Sequence, residues 1–415
     1  MAHLLLLEVP GGNDFTVLED AVSMGHDVTF FTGDLAHYRA QAEAVQASMA
    51  LARQIVEVSP FDYPTLEQAA SALHADYPFD GILCILDIRM IEASLLARNL
   101  GLRFLNPETA RMARNKVKVR EAMARHGLRQ PAFKLIEKAT ELREAVREIG
   151  YPAVVKPADG YGSQNVTILR SDDELAGLSR ILEQLTAQPH DYGLGVFANN
   201  RFLVEKYVRG NLIGCDVFSD AEHRVLLGIN DKLMFPPPSF AIRGSCFPSD
   251  RYDLLAIRNY AFKILDAIEF DFGAVHIEMI VADDGPYLVE VNPRLVSAQI
   301  PYQMGYALER SVYTDLINLH LGYPASMLDD VRAPWFSAIR WICAEREGIL
   351  EEIELPNPPS GLIRRVALFK AQGERVVPPM SNGDRIGYVI AVGASQEAAG
   401  HEADRYVEQT MVRIG

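Results

Sequence analysis

The hydrophobic positions of this 415-residue chain fall into short buried runs and alternating stretches, separated by turns rich in glycine and proline. That pattern predicts mixed helix and sheet. Leu4 to Leu7 is an apolar run that stops at Glu8, so residues 3–9 read as a buried strand. Gly11-Gly12-Asn13-Asp14 supplies a turn, 15–24 a helix ending near Gly25, and 28–32 the next strand. This order predicts a doubly wound α/β unit, to which Gly81-Ile-Leu-Cys-Ile-Leu adds a further buried strand. Asn106-Pro107 closes the unit, and one charged helix is expected over 108–126, stopped by Gly127. Strands follow over 151–156 and 201–208, and 211–218 is expected to pair with the latter. A second α/β or α+β layer runs from 262, a rigid Pro-Asn-Pro-Pro-Ser-Gly loop spans 356–361, and strands at 363–370 and 388–392 with a helix at 395–411 form a small α+β tail. No internal repeat interrupts this order.

The most informative alternation lies between His276 and Arg294. Asp283, Asp284 and Gly285 form a turn signal between two apolar runs, which suits a short hairpin with glycine where φ is positive. Centred on Asp284, the hairpin sets Glu278 opposite Glu290 and His276 opposite Asn292. Ile277, Met279, Val281, Tyr287, Val289 and Val291 then share the other, apolar face. Two carboxylates placed cross-strand, about 5 Å apart at Cβ, repel each other unless a cation lies between them. Two carboxylates and an amide are hard oxygen ligands and select Mg²⁺, with Mn²⁺ as the alternative, over zinc or copper.

Composition narrows the setting. The length fits two to four domains, and 49 % hydrophobic with 23 % charged residues is the balance of a globular protein. A formal net charge of −15 argues against nucleic acid or an anionic membrane as partner. The Leu4 to Leu7 run is too short for a signal peptide, and no apolar stretch approaches a membrane span, so a cytoplasmic protein is expected. Cysteines at 84, 215, 246 and 343 lack Cys-x-x-Cys spacing and read as reduced structural thiols. Gly11-Gly12 lacks the Gly-x-Gly-x-x-Gly spacing of a dinucleotide site, which makes a dehydrogenase the weakest reading.

Lys156 ends an apolar strand directly before the loop Asp159-Gly-Tyr-Gly-Ser-Gln164. In such loops Gly160 and Gly162 let backbone N–H groups, including that of Ser163, approach phosphate oxygens, while the lysine adds a point charge. Arg294 follows Asn292-Pro293, and its fork suits a carboxylate, an acyl phosphate or a γ-phosphate.

With these residues in view, the chain resembles the ATP-grasp enzymes, and among them the bacterial L-amino acid ligases that make dipeptides. The resemblance rests on His276-x-Glu278, the Asp-Gly turn, Glu290-Val-Asn-Pro-Arg294, the Lys156-Pro lid loop and Val204-Glu-Lys-Tyr-Val208, and it runs from about 1 to 412. It implies a fold of α/β and α+β parts: a doubly wound N-terminal domain over 1–110, a linker helix and lid over 111–205, a metal-binding lobe over 206–330 and a C-terminal α+β subdomain over 331–415. It implies ATP held by Lys116, Lys156, Gly160, Gly162, Ser163 and Lys232. Lys206, Tyr207 and Val208 would lie at the adenine edge, with Glu205 receiving the exocyclic amine. Mg²⁺ would sit on Glu278, Glu290 and Asn292. Arg294 and Lys156 would be catalytic, and Arg243, Gly244, Ser245, Arg294 and Ser297 would border the substrate. Several positions depart from the family pattern: Leu212 replaces the ribose acid, leaving Asp216 as a substitute. Gln164 replaces a basic lid residue, Ile242 and Ser245 replace an acid and a histidine, and Val296-Ser297 replaces a glycine pair. The implied reaction joins a small carboxylate to an amine through an acyl phosphate. A bicarbonate-activating carboxylase and a non-catalytic ATP-binding protein are the alternatives. Partners are then small molecules, and the resemblance leaves a homodimer open.

Overall fold

The computed structural model describes the chain apart from residues 10–13, 60, 159–165, 188–189, 192–195, 198–200, 237–238, 240, 329–331 and 357–359. The predicted turn at Gly11-Gly12-Asn13 and the loop residues Gly160, Gly162, Ser163 and Gln164 therefore lie outside the described residues.

The opening apolar run forms the strand His3–Leu7, which pairs in parallel with Asp27–Thr32 on one side and Gly81–Leu83 on the other. Gln54–Glu57 extends this sheet beyond Asp27–Thr32. A parallel strand covered on both faces must be apolar throughout, and Leu4 to Leu7 are fully buried. Alternation divides them between two cores. Leu5 and Leu7 join a cluster that reaches Ile213, Ile277 and Met279, while Leu4 and Leu6 join one that reaches Phe247, Ile339 and Tyr388. The N-terminal sheet thus shares its hydrophobic interior with the strands Asn211–Ser219, Gly273–Ala282 and Phe336–Cys343.

The single helix expected over 108–126 is two helices, Pro107–Ala113 and Lys116–Arg125. Asn115 breaks it: its side chain accepts the Lys118 N–H, and asparagine favours this N-cap role over a helix interior. The break places Lys116 at the first position of a helix. The following strands also differ from expectation, because Phe202–Lys206 and Asn211–Ser219 do not pair with each other. Phe202–Lys206 lies between Phe133–Ile136 and Ala153–Pro157 in an antiparallel sheet that Thr167–Leu169 completes. Its end is held there by the Lys206 and Tyr207 N–H groups, which donate to Ala132 and Pro152 carbonyls.

Asn211–Ser219 belongs to an eight-stranded sheet. In spatial order its strands are Gly285–Asn292, Gly273–Ala282, Asn211–Ser219, Arg224–Met234, Ile242–Phe247, Phe336–Cys343, Arg385–Gly393 and Ile363–Leu368. The sheet runs without interruption from the predicted metal strands into the C-terminal region, since Phe336–Cys343 pairs with Ile242–Phe247. The helix Gln396–Gln409 packs on its far end, where Arg340 binds Asp404 at 2.7 Å. All four cysteines are free thiols, and among the described residues no helix is long and apolar enough to cross a membrane.

His320 ends the helix Val312–His320 against Phe104 and Phe272. Burial presses its pKa down to about 4 from 6.5. A histidine that resists protonation when folded but titrates normally when unfolded favours the folded state fully above pH 6.5. That contribution is lost as pH falls towards 4. The lost amount is roughly 3 kcal/mol. His320→Phe should flatten the fall in urea midpoint between pH 6.5 and 4, and an unchanged slope in the variant would show that this side chain is not its source.

Candidate active site

The hairpin brings its charged residues together in the expected register, with His276 opposite Asn292 and Glu278 opposite Glu290. It reaches that register by a different route. The turn is the two residues Asp283-Asp284, followed by Gly285 at φ +122°, and an extra residue at Val289 restores the pairing. This bulge revises the predicted apolar face: Leu288, not Val289, joins Ile277, Met279 and Val291 in the core. Tyr287 pairs with Ile280 and donates its hydroxyl to Asp284 at 2.8 Å. The Val289 carbonyl is turned to use instead, accepting from Arg120 at 2.9 Å and Lys156 at 3.4 Å.

A cleft of about 230 Å³ lies between the four-stranded sheet that holds Phe202–Lys206 and the hairpin end of the large sheet. Lys116, Lys156, Glu205, Lys206, Tyr207, Val208, Glu278 and Glu290 all line it, together with apolar Val154, Leu212, Met234 and Ile280. Lys116 stands 3.4 Å from Glu290, whose other oxygen accepts from Asn292 at 3.1 Å. Glu278 is ion-paired with the buried Lys232. His276 stands 3.3 Å from Lys232 and 3.1 Å from Asp216. Gly214 makes this packing possible, since a Cβ there would come within 2.6 Å of the His276 ring and 3.2 Å of the Lys232 stem. Burial disfavours the Glu278 carboxylate, but Lys232 and His276 outweigh it and hold its pKa far below the usual range.

The floor of the cleft carries a second charge cluster. Glu205 is buried, with one oxygen 2.8 Å from Arg120 and the other 2.7 Å from Lys156. Burial raises its pKa, yet Arg120 and Lys156 together bring it down to about 2. Burial presses the Lys156 ammonium the other way, with Glu205 opposing. Glu205 is therefore engaged at the floor of the cleft as the counter-ion of Lys156 and Arg120. Asp216 is likewise committed: its oxygens hold His276 and the Val296 N–H, at 3.1 and 2.8 Å, so it cannot serve a ribose.

Other expected residues lie elsewhere. Ser245 is fully buried and donates to Gln303 at 2.7 Å, Gly244 is enclosed between neighbouring strands, and Arg243 is half exposed, 3.9 Å from Asp404. Ser297 is partly buried in the turn after the hairpin. Arg294 is clasped by Asp87 of the N-terminal sheet region, its Nε at 2.8 Å. Arg120, Asp87 and Gly214 were not expected as parts of this site, and Asp216 was expected only as a ribose ligand. The available signals were Arg120 within the buried run Val119, Ala122, Met123, and Asp87 flanked by Leu86 and Ile88 just after a buried strand.

The donor set fits a nucleotide-borne Mg²⁺. Among the described residues no three His, Cys, Asp or Glu side chains form a self-sufficient metal cage. Mg²⁺ held with phosphates needs only one or two carboxylates, and Glu278, Glu290 and the neighbouring Asn292 offer those beside two lysines.

Comparison with known families agrees with this geometry. Residues 149–301 match the ATP-grasp domain, 18–103 the ATP-grasp N-terminal domain, and 340–415 the L-amino acid ligase C-terminal domain 2. The chain is an ATP-grasp protein. Its fold is similar throughout to the L-amino acid ligase of Bacillus licheniformis, with a TM-score of 0.83 at 19 % identity, covering 100 % of this ATP-grasp chain and 99 % of that one. Phosphoribosylglycinamide synthetase from Anaerococcus prevotii gives 0.73 at 18 % identity, with both chains fully covered. At these identities the likeness concerns the fold. In sequence, the ATP-grasp chain is 27 % identical over 369 residues to the uncharacterized protein y4rH of Sinorhizobium fredii, covering 86 % of this chain and 74 % of that protein.

Proposed function

We propose that this ATP-grasp protein is an ATP-dependent carboxylate–amine ligase acting on an amino acid or related small acid. The observation that carries the reading is the pairing of Glu278 with Glu290 across the hairpin, in one cleft with Lys116 and Lys156. A triphosphate entering that cleft would meet Lys116 and Lys156 as point charges, and the lysines would neutralise the oxygens left by the carboxylate side. Glu278, Glu290 and Asn292 would hold Mg²⁺, which would supply charge neutralisation to the bound triphosphate. With the Lys206 and Tyr207 amides committed to Ala132 and Pro152, the adenine edge falls to the Lys206 carbonyl and the Val208 amide.

The substrate carboxylate attacks the γ-phosphorus and ADP leaves. The amine then attacks the acyl carbon and phosphate leaves. This sequence needs positioning and electrostatics rather than a protein nucleophile. Among the described residues lining the cleft there is no Ser, Thr, Cys or His, in keeping with phosphoryl transfer to the substrate itself. Arg294 would hold the acyl phosphate and the developing oxyanion. Support for amino-acid substrates comes from the C-terminal match and from the Bacillus licheniformis fold. Phosphate release screened over amino-acid pairs, with product masses recorded, tests the reading. Amide products with equimolar ADP are expected; ADP release that needs bicarbonate and no amine would place the protein with carboxylases instead.

A further inference from the structure

We propose that Asp87, contributed by the N-terminal region, is the positioning residue that aims Arg294 at the phosphate leaving the acyl carbon. The inference rests on the role given to Arg294 above. Asp87 opens the short helical turn Asp87–Arg89, four residues beyond the strand Gly81–Leu83, and is 4 % exposed. From there one oxygen, Oδ2, accepts from both Nε and Nη2 of Arg294, although the two residues are 207 positions apart. Nη1 donates to the Leu295 carbonyl at 2.7 Å.

These bonds decide which part of the guanidinium remains for a ligand. A guanidinium has five N–H donors in a fixed plane. The side edge, Nε with Nη2, is taken by Asp87, and one hydrogen of Nη1 by the neighbouring Leu295 carbonyl. One donor remains on each terminal nitrogen, and these two share the end edge of the fork. That edge matches two oxygens of one tetrahedral phosphate. The Arg294 backbone is also fixed, its N–H donating to the Asn292 carbonyl at 2.7 Å. The main chain therefore sets the base of the side chain and Asp87 sets its rotation. Arg114 approaches the other Asp87 oxygen only at 4.0 Å, so Arg294 is the principal partner of this buried carboxylate.

Inorganic phosphate is the probe. It is titrated calorimetrically into the full chain saturated with Mg·ADP, which separates the end edge of Arg294 from nucleotide binding. Asp87→Ala should weaken phosphate binding about tenfold, the loss expected when a charge-assisted pair is misaligned. Mg·ADP affinity should change by less than about twofold. Asp87→Asn keeps an oxygen where Nε and Nη2 need it, and should restore phosphate binding to within about threefold of the parent. Arg294→Lys should lose as much as Asp87→Ala, and the double variant no more than either. Unchanged phosphate affinity in Asp87→Ala beside a weakened Arg294→Lys overturns the proposal and leaves the Arg294 reading standing. An additive loss in the double variant overturns it too. Absence of phosphate binding in the parent, or parental affinity in Arg294→Lys, overturns the Arg294 reading and the proposal with it. Should Asp87→Ala lose its near-ultraviolet circular dichroism, Asp87→Glu serves instead. It carries the oxygen one methylene further and should weaken phosphate about fivefold, and parental affinity there overturns the proposal.

Discussion

Glu278→Gln and Glu290→Gln are each expected to lower amino-acid-dependent ATP turnover by about a thousandfold. Each removes one of two carboxylates that face a single cleft from opposite hairpin strands. Charge stabilisation of several kcal/mol disappears with either, and each factor of ten in rate is about 1.4 kcal/mol. Their effects on stability should differ. Glu290 meets Lys116 at a partly exposed position, so Glu290→Gln should leave the melting temperature close to that of the parent. Glu278 neutralises Lys232, whose side chain is 4 % exposed, so Glu278→Gln leaves an ammonium buried and should lower the melting temperature. Relief of cross-strand repulsion offsets only part of that cost. Turnover near the parental level in either variant would remove the carboxylate pair from the mechanism.

The largest loss of stability is expected from Glu205→Gln. It strips the counter-charge from two cations at once, Arg120 at 2 % exposure and Lys156 at 7 %. Breaking a buried ion pair from one side typically costs about 3–5 kcal/mol. A second change, Arg120→Met, should recover part of it, because the pair is coupled and the surroundings are apolar. The pH dependence follows from the sign of the shift. Glu205 is held at about 2, below the 4.5 of an unperturbed glutamate, so its stabilising effect is complete above pH 4.5 and is lost as pH falls towards 2. Urea unfolding of the parent should weaken across that window more steeply than that of the Glu205→Gln variant. A variant within about 0.5 kcal/mol of the parent at pH 7 would contradict the assignment.

What could be read in advance from the chain was whatever local pattern controls. The cross-strand pairs of the hairpin follow from period-two alternation around a turn signal, so Glu278 and Glu290 emerged opposite each other. The bulge at Val289 was invisible because Leu288 and Val289 are both apolar, and alternation carries no information where neighbours are alike. Helix breaking at Asn115 was marked by a capping residue, yet the charged pattern on both sides reads as one helix. The sheet membership of Phe202–Lys206 depends on bonds to Ala132 and Pro152, which no local feature of that strand announces. The same holds for the site. Lys116, Lys156 and the carboxylates follow a motif order, but Arg120 looks like one more solvated charge until Glu205, 85 residues away, draws it inside. Leu212 in place of an acid was legible as a departure. That Asp216 cannot replace that acid was not, because its partners His276 and Val296 converge only in the folded sheet.

In the proposed reaction, phosphoryl transfer activates a substrate carboxylate. This step is tested most directly by following oxygen from that carboxylate. With both carboxylate oxygens of the first substrate isotopically labelled and an amine supplied, one labelled oxygen is expected in each phosphate released and one in each amide formed. Unlabelled phosphate alongside amide product would contradict it, because no bond from the carboxylate to phosphorus would then have been made.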